Sequence, residues 1–519
     1  MKRRWKMLAA AGVILILIVG SLAVTMYIQP KHEVEAYKQF LRDQGERLEI
    51  KEVLPPRVPA ESNGVALVQS AFSFLASGNG DDGNLPPAMR MVAPGRAMVG
   101  WARPNLVDPR PYGYTNTWEN ARQAADANRP VFDLLKQAAG YPALDFQIDY
   151  TLGPETLLPH LAPLKRCTQR LSAAAMSDLH DHNAAAAATN ICALLALVRN
   201  DHEERLVISQ LVRIAMVSIA ASATWELLQA TNLTDKDLAA LQNGWEQQEF
   251  IQAEANALLM ERASIENTIR KMRASGGASR RYFGMMSAAS TRGSSGWLDD
   301  LKNARVATSE EGAMFMWRKS WSYGDELRAL QGQQVILETV RTVETNGFFY
   351  PGYTNMIGRL DALGITNAPA DTWLTSPDLD LRQTFSRIIA GLERTTQKTM
   401  AAEVCRQVAI TAIALKRFEL KHEKLPGNLT ELTPEFVPGI PIDPVDGHPL
   451  RYRPNPDGTF LLYSIGVNGV DDGGDPVHVA AGGSPSSSLS WLDRNARDWV
   501  WPRPATPAEV QNYFDHPPQ

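Results

Sequence analysis

The loop at residues 466–475 carries four oxygen-bearing side chains that could bind a metal ion: Asn468, Asp471, Asp472 and Asp475. Calcium takes about six to eight oxygen ligands, which closely spaced Asp and Asn side chains and the backbone carbonyls of a glycine-rich loop can supply. The spacing differs from the EF-hand pattern, and Asp-Gly-Gly-Asp is also an ordinary turn sequence. The sequence therefore predicts either a calcium site or a metal-free turn.

Two further groups of acidic and histidine side chains could do chemistry. The first ends a predicted helix and comprises Asp178, His180, Asp181 and His182. The two histidines would point to different faces of one helix, which is poor metal-ligand geometry and favours helix capping. The second is Asp145 with Asp149, which could form the acid/base pair of a glycosidase if their carboxyl groups are suitably separated.

Catalytic motifs of defined spacing are absent from the sequence. It contains no Gly-x-Ser-x-Gly elbow, no Ser-x-x-Lys, no Gly-Lys-Ser/Thr phosphate loop and no His-Glu-x-x-His. The 3 cysteines have no Cys-x-x-Cys spacing for zinc. We therefore expect a non-catalytic protein. The alternative is a membrane-tethered extracytoplasmic hydrolase whose unrecognised active site is built from the Gly/Pro-rich loop 78–115 and helix ends.

A basic segment follows the central part of the chain. Its cations are Arg270, Lys271, Arg273, Arg280, Arg281 and Arg292. Glycines and serines at 274–298 predict a loop here, which is either solvated or in contact with lipid head groups or an acidic partner. The whole chain has a net charge of −5, which argues against nucleic acid as a partner.

The N-terminus predicts a membrane anchor. Four basic residues between positions 2 and 6 precede the uncharged run Met7–Ile28. About 22 helical residues span roughly 33 Å, enough to cross a lipid bilayer. The positive-inside rule keeps the N-terminus in the cytoplasm and places the bulk of the chain in the periplasm. We expect a single-pass protein of the bacterial inner membrane; the alternative is a cleaved signal peptide, whose apolar region is usually shorter.

The rest of the chain predicts a mainly α-helical fold. Amphipathic stretches with short punctuation over 153–272 indicate α-helical hairpins or a bundle, and an apolar stripe predicts a long helix at Thr396–Lys424. A β-hairpin is predicted at 450–465 around the turn Asn455–Gly458. We divide the chain into a cytoplasmic tip with its anchor, a stalk and linker, a helical body, an α+β module and a Trp/Pro-rich tail: 1–29, 30–60, 61–395, 396–480 and 481–519.

The tail contains Trp491, Trp499 and Trp501. These tryptophans could form a ligand platform or attach the tail to the body. We expect the attachment, because a tryptophan buries a large apolar surface. Thr506 and Glu509 flank a proline and predict the start of a helix.

The α+β module carries a recognisable string of residues. Asp443-Pro444, Gly447 and Pro449 precede the hairpin, and Ser464, Gly466, Asn468 and Gly469 follow it. After a long helix, this order resembles the globular part of the major pseudopilin of type II secretion, the pseudopilin G family. The resemblance covers about 399–478. It implies a small α+β fold, calcium in the loop 466–475 and an association with secretion or pilus assembly.

The N-terminus departs from the pseudopilin pattern. It lacks the short basic leader followed by Gly and Phe, and Met7–Ile28 contains no Glu. We therefore expect a pseudopilin-like module appended to another architecture. The whole chain is similar to uncharacterised bacterial membrane-anchored proteins with this ending. This similarity does not point to any particular activity. The sequence predicts a periplasm-facing, non-catalytic envelope protein that acts as a scaffold for other envelope proteins.

Overall fold

The computed structural model describes residues 13–14, 21, 24–76, 86, 88–104, 106–107, 115–290, 314–365, 384–478 and 496–516. Most of the predicted anchor Met7–Ile28, together with Trp491 and Arg292, lies outside these residues, so the anchor stays a prediction. Among the described helices, Val207–Leu228 is long and apolar enough to cross a membrane, but more than half of it is buried inside the protein.

The described chain is mainly α-helical, as predicted. The helices of its first half are α1 Gln29–Asp43, α2 Val65–Ala76, α3 Trp118–Ala127, α4 Arg129–Ala139, α5 Leu161–His180, α6 Ala184–Asn200, α7 Val207–Leu228 and α8 Asp235–Glu246. Those of its second half are α9 Ile251–Ala274, α10 Gly276–Ser290, α11 Ser322–Asn346, α12 Gly352–Ala362, α13 Thr384–His422 and α14 Pro507–Asp515. The prediction of a loop at 274–298 is wrong for residues Gly276–Ser290, which form α10.

Side-chain caps begin several helices where the sequence predicts them. The backbone N–H of Asp237 donates to the Thr234 hydroxyl (3.2 Å) at the start of α8. Thr506 and Glu509 form a reciprocal capping box at α14. These side chains satisfy backbone donors that the first turn of a helix leaves free, which explains why the helices begin there.

The body is built from helices that pack around one apolar core. α5 packs against α6 and α7, α8 packs against α6 and α13, and α9 packs against α11. The buried apolar side chains form a cluster that extends from Ile50 to Trp501. α7 belongs to this core, since both of its charged residues, Arg213 and Glu226, are 0% exposed. The Glu226 carboxylate accepts hydrogen bonds from the backbone N–H groups of Met89 (2.8 Å) and Gly100 (3.0 Å).

The long helix α13 begins earlier than the sequence predicts. It covers 39 residues and begins at Thr384 rather than Thr396. Asp325 of α11 caps it, accepting hydrogen bonds from the backbone N–H groups of Phe385 and Ser386 (both 2.9 Å). Because the capping residue comes from a distant part of the chain, no local sequence signal marks the start of this helix. The sequence therefore places the first third of α13 in the helical body instead of the α+β module.

Three small sheets complete the fold. β1 Arg90–Ala93 and β2 Arg96–Met98 are antiparallel, and β8 Arg503–Pro504 adds to β2 in parallel. β3 Leu106–Val107 pairs with β4 Thr115–Asn116. The antiparallel strands β5 Arg451–Pro454 and β6 Phe460–Ser464 form the predicted hairpin, and β7 Trp499–Val500 pairs with β6. The region 78–115, predicted as a loop, therefore contains short strands. β1 and β2 pair locally, and β8 from the tail adds to β2.

Candidate binding cleft beside the stalk helix

A polar cleft of about 640 Å³ lies between α1, the segment 48–51 and α9. We call it the stalk cleft, and its basic lining residues are Lys38, Arg42, Lys51, Arg270, Lys271 and Arg273. Its acidic lining residues are Glu35, Glu49, Glu266 and Glu326. Its volume falls in the range of small-molecule binding sites.

The stalk helix α1 forms one wall of the cleft because one of its faces is docked onto the body. Val34 and Leu41 are 0% exposed and pack in a cluster with Tyr323 and Leu330 of α11. Lys38 lies between them at helical spacing and therefore projects from the same face. The apolar contacts thus place a lysine ammonium group at the floor of the cleft.

Lys38 meets two carboxyl groups at this floor. Its Nζ lies 2.6 Å from Glu266 Oε2 and also forms an ion pair with Glu326. Burial and the neighbouring Glu326 carboxylate raise the pKa of Glu266 to about 8. Burial also opposes ionisation of Glu326, but the charges of Arg273 and Lys38 outweigh it and lower its pKa. At neutral pH the pair therefore consists of one carboxylic acid and one carboxylate.

Arg273 forms the back of the cleft and is held from several sides. Its guanidinium group pairs with Glu326, its Nε donates to the Ser322 hydroxyl (2.8 Å), and it lies 3.8 Å from the centre of the Tyr323 ring. Within the described part of the chain, its buried Nη2 has no hydrogen-bond partner. The wall of the cleft therefore contains a buried N–H donor whose hydrogen bond is unmade.

Two cations at the rim are more exposed. Arg270 donates to the Asn267 side chain (3.0 Å), and the Lys271 ammonium group donates to the Thr151 carbonyl (3.1 Å). Neither has a carboxylate within 4.0 Å among the described residues. Their positive charge is thus free to act on a ligand in the cleft.

A second buried ionic cluster holds the chain just after α1. The Glu46 carboxylate accepts hydrogen bonds from Arg262 of α9 (2.6 Å), from Gln334 of α11 (3.1 Å) and from Arg341 of α11. Burial opposes ionisation of Glu46, but the hydrogen bonds from Arg341 and Arg262 outweigh it and lower its pKa to about 2. The stalk is therefore fixed at its end as well as along its length.

The predicted calcium ligands lie in the loop after β6: Asn468, Asp471, Asp472 and Asp475. Backbone N–H groups of this loop donate to the carboxylate of Asp498 from the tail. The backbone N–H groups of Gly474 (2.7 Å) and Asp475 (3.2 Å) donate to it. Burial raises the pKa of Asp498 to about 6.

The side chains of the calcium loop have separate partners. The hydroxyl of Tyr463 donates to Asp471 (2.9 Å), and the side-chain amide of Asn468 donates to Asp472 (2.8 Å). Among the residues that the structure describes, no group of three or more His, Cys, Asp or Glu side chains is placed to hold a metal ion. Calcium binding by this loop stays a prediction.

The acidic and histidine cluster at the end of α5 joins that helix to its neighbours. His180 Nδ1 lies 2.9 Å from the Trp101 carbonyl oxygen, and its ring stacks on Trp118 at 4.1 Å. Arg122 Nε donates to Asp181 (3.0 Å). These contacts attach the segment after β2 and helix α3 to the body.

The other acidic candidates are also engaged locally. Asp145 and Asp149 each accept a hydrogen bond from the backbone N–H two residues later, at 2.8 and 2.9 Å. Asp178 accepts one from the side-chain amide of Asn190 (2.7 Å), and burial raises its pKa to about 6. These carboxyl groups act as turn and helix-end acceptors in this structure.

The sequence predictions include the cations at the rim of the stalk cleft but not the residues at its floor. The rim cations Arg270 and Lys271, and Arg273 at the back, belong to the basic segment that the sequence singles out. Lys38, Glu266 and Glu326 are outside the sequence predictions. One signal was present: Lys38 interrupts the apolar face that the spacing of Val34 and Leu41 defines.

Comparisons with protein-family models, with curated proteins and with solved structures found no match to this chain. The fold and the cleft define a mainly helical protein with a charged, ligand-sized cleft beside its N-terminal helix.

Proposed function

We propose that this chain is a single-pass protein of the bacterial inner membrane, anchored by Met7–Ile28, whose periplasmic body binds other envelope proteins without catalysing a reaction. The observation that carries the proposal is the docking of α1. The helix next to the anchor packs against α11, and its Lys38 contacts the carboxyl groups of Glu266 and Glu326 at the floor of the cleft. A tether fixed in this way suits a scaffold that must hold partners at a defined orientation above the membrane.

The pseudopilin-like module supports a partner from secretion or pilus assembly. Its helix α13 continues into the body, where it packs against α8, α9 and α11. The module is therefore a rigid extension of the body. Its surface displays Ile440, Ile442 and Val470, whose exposed fractions are 38%, 40% and 55%. Exposed apolar side chains of this size are candidates for contact with a partner protein.

Crosslinking in intact cells, followed by solubilisation and mass spectrometry, tests the scaffold. We expect secretion or pilus-assembly components to co-purify with the wild type and to be lost with Ile440→Asp/Val470→Asp. Leu157→Asp, on the body and 83% exposed, is the matched control and should retain them. Surface variants are preferable to deletion of 399–478, because α13 contributes to the core. Recovery of no such component, or equal loss in the control, would contradict the proposal.

One observation favours the hydrolase as a second candidate. Glu266 and Glu326 interact directly in an open cleft, and their pKa values are moved in opposite directions. Pairs of carboxyl groups whose pKa values are moved apart in this way act as general acid and base in hydrolases. Hydrolysis of nitrophenyl glycoside or ester probes by the wild type, lost in Glu266→Gln, would support this candidate. Absence of turnover with both probe classes would count against it.

A further inference from the structure

We propose that the stalk cleft binds the phosphate group of an anionic ligand, supplied either by a phospholipid head group or by a soluble phosphorylated compound. This inference goes beyond the scaffold, because it assigns a ligand class to a site that protein partners need not occupy. It stands on the cleft, on the charges that line it and on one unmade hydrogen bond.

Charge is the first argument. The cleft is lined by six basic and four acidic side chains. Glu266 and Glu326 are already engaged by Lys38, and Glu49 pairs with Lys51 (2.9 Å). Arg42 pairs with Glu49 and Glu52, and Arg273 pairs with Glu326, so the cations left over are those at the rim, Arg270 and Lys271. An excess of positive charge in a concave site raises the local concentration of anions.

Hydrogen-bond geometry is the second argument. A guanidinium group presents several N–H donors in one plane and suits the oxygens of a phosphate. Ser322, Glu326 and Tyr323 hold Arg273 in place, so little side-chain entropy remains to be lost when a ligand binds. Its buried Nη2 lacks a partner within the described chain. A phosphate oxygen that reached this buried donor would supply one.

The shape of the cleft is the third argument. Its volume of about 640 Å³ exceeds that of a single ion and accommodates a phosphorylated organic molecule. Lys38 follows the predicted anchor by ten residues, or roughly 15 Å along an upright helix. Head groups extend only about 5–8 Å beyond the hydrocarbon core. An upright stalk therefore favours a soluble ligand, and a strongly tilted one favours a lipid.

Isothermal titration calorimetry on the full-length protein in dodecyl maltoside tests the proposal. The probes are glycerol 3-phosphate for the soluble source and dihexanoyl phosphatidic acid for the lipid source, at constant ionic strength. We expect at least one to bind, and to bind at least tenfold more weakly to Arg270→Ala/Lys271→Ala. Both residues are exposed, so the variant should keep its circular dichroism spectrum and melting temperature.

Two further variants separate specific binding from general charge. Arg273→Lys keeps the charge but loses the planar donors, and should also weaken binding of the same probe. Arg129→Ala/Lys236→Ala removes two exposed cations from α4 and α8 and should leave it unchanged. Binding of the soluble probe alone or of the lipid probe alone identifies the source. Binding of neither probe, or equal weakening by the control variant, would overturn the proposal.

Discussion

Asp443 holds the turn before the β-hairpin to the strand that closes it. Its carboxylate accepts hydrogen bonds from the backbone N–H groups of Val445 (2.9 Å) and Ile465 (3.1 Å) and from the Ser464 hydroxyl (2.7 Å). It also pairs with Arg451 (2.7 Å). One side chain thus satisfies four donors, and this explains why the Asp-Pro pair of the resemblance stands at this position.

Replacing Asp443 tests that role. Asp443→Ala leaves the backbone N–H groups of Val445 and Ile465 without this acceptor, while Arg451 keeps its pairing with Asp446, and should lower the free energy of unfolding by about 2–4 kcal/mol. Asp443→Asn keeps an acceptor oxygen and should cost clearly less. Urea denaturation followed by circular dichroism measures both. Equal losses in the two variants would show that the carboxylate is not what holds the turn.

Glu266 should make ligand binding in the stalk cleft depend on pH. It faces Lys38 of α1 and Glu326 of α11, and Arg273 lies beyond them on its own helix. With a pKa of about 8, Glu266 is neutral at pH 7 and ionised at pH 9, and ionisation adds a negative charge that repels phosphate. The dissociation constant of the wild type should therefore rise several-fold relative to that of Glu266→Gln between these pH values. A constant ratio would exclude Glu266 as the titrating group.

At the scale of elements, Glu46 determines whether the stalk stays docked. Its pKa is lowered, so its stabilisation is complete above the ordinary glutamate range and is lost as the pH falls towards about 2. Glu46→Ala leaves Arg262 buried without its carboxylate and should destabilise the α1–α9–α11 junction by about 3–5 kcal/mol. Hydrogen exchange should accelerate in α1 and the segment after it. Arg359→Ala, which removes a more exposed ion pair with Glu338 of α11, is the control and should leave α1 protected.

Elements with local signals could be predicted, whereas the contacts between distant elements could not. The caps at Thr234 and Thr506 and the hairpin turn at Asn455–Gly458 lie within a few residues of the structure they begin. The floor of the stalk cleft joins Lys38 to residues more than 200 positions later. No periodicity or spacing reports such a pair. The sequence could therefore indicate a basic segment but not the cleft to which it belongs.

At the scale of the whole molecule, the tail joins the sheet of the β-hairpin to the sheet that begins at Arg90. The backbone N–H of Trp501 donates to Leu462 of β6 (2.9 Å), and that of Arg503 donates to Gly95 beside β2 (3.1 Å). The indole N–H of Trp225 donates to the Pro502 carbonyl between them (2.7 Å). Trp499 and Trp501 are 1% and 4% exposed, so the expectation that they attach the tail is confirmed for both.

Removing one of these tryptophans should loosen both sheets. Trp501→Ala deletes a buried indole and should lower the free energy of unfolding by about 3–5 kcal/mol. Tyr513→Ala, in the more exposed helix α14, should change it by less than about 1 kcal/mol. Thermal melting of the two variants measures the difference. A similar melting temperature for Trp501→Ala and the wild type would contradict the proposed attachment.

The late pairing of β8 with β2 affects how the protein can be made. Residues 503–504 complete a sheet that begins at Arg90, more than 400 positions earlier in the chain. During synthesis, the edge of β2 that faces away from β1 therefore stays unpaired until Arg503 has been made. Open strand edges recruit other chains. Synthesis that stops before Arg503 would leave this edge permanently open, so a truncated product should aggregate more readily than a chain that contains β8.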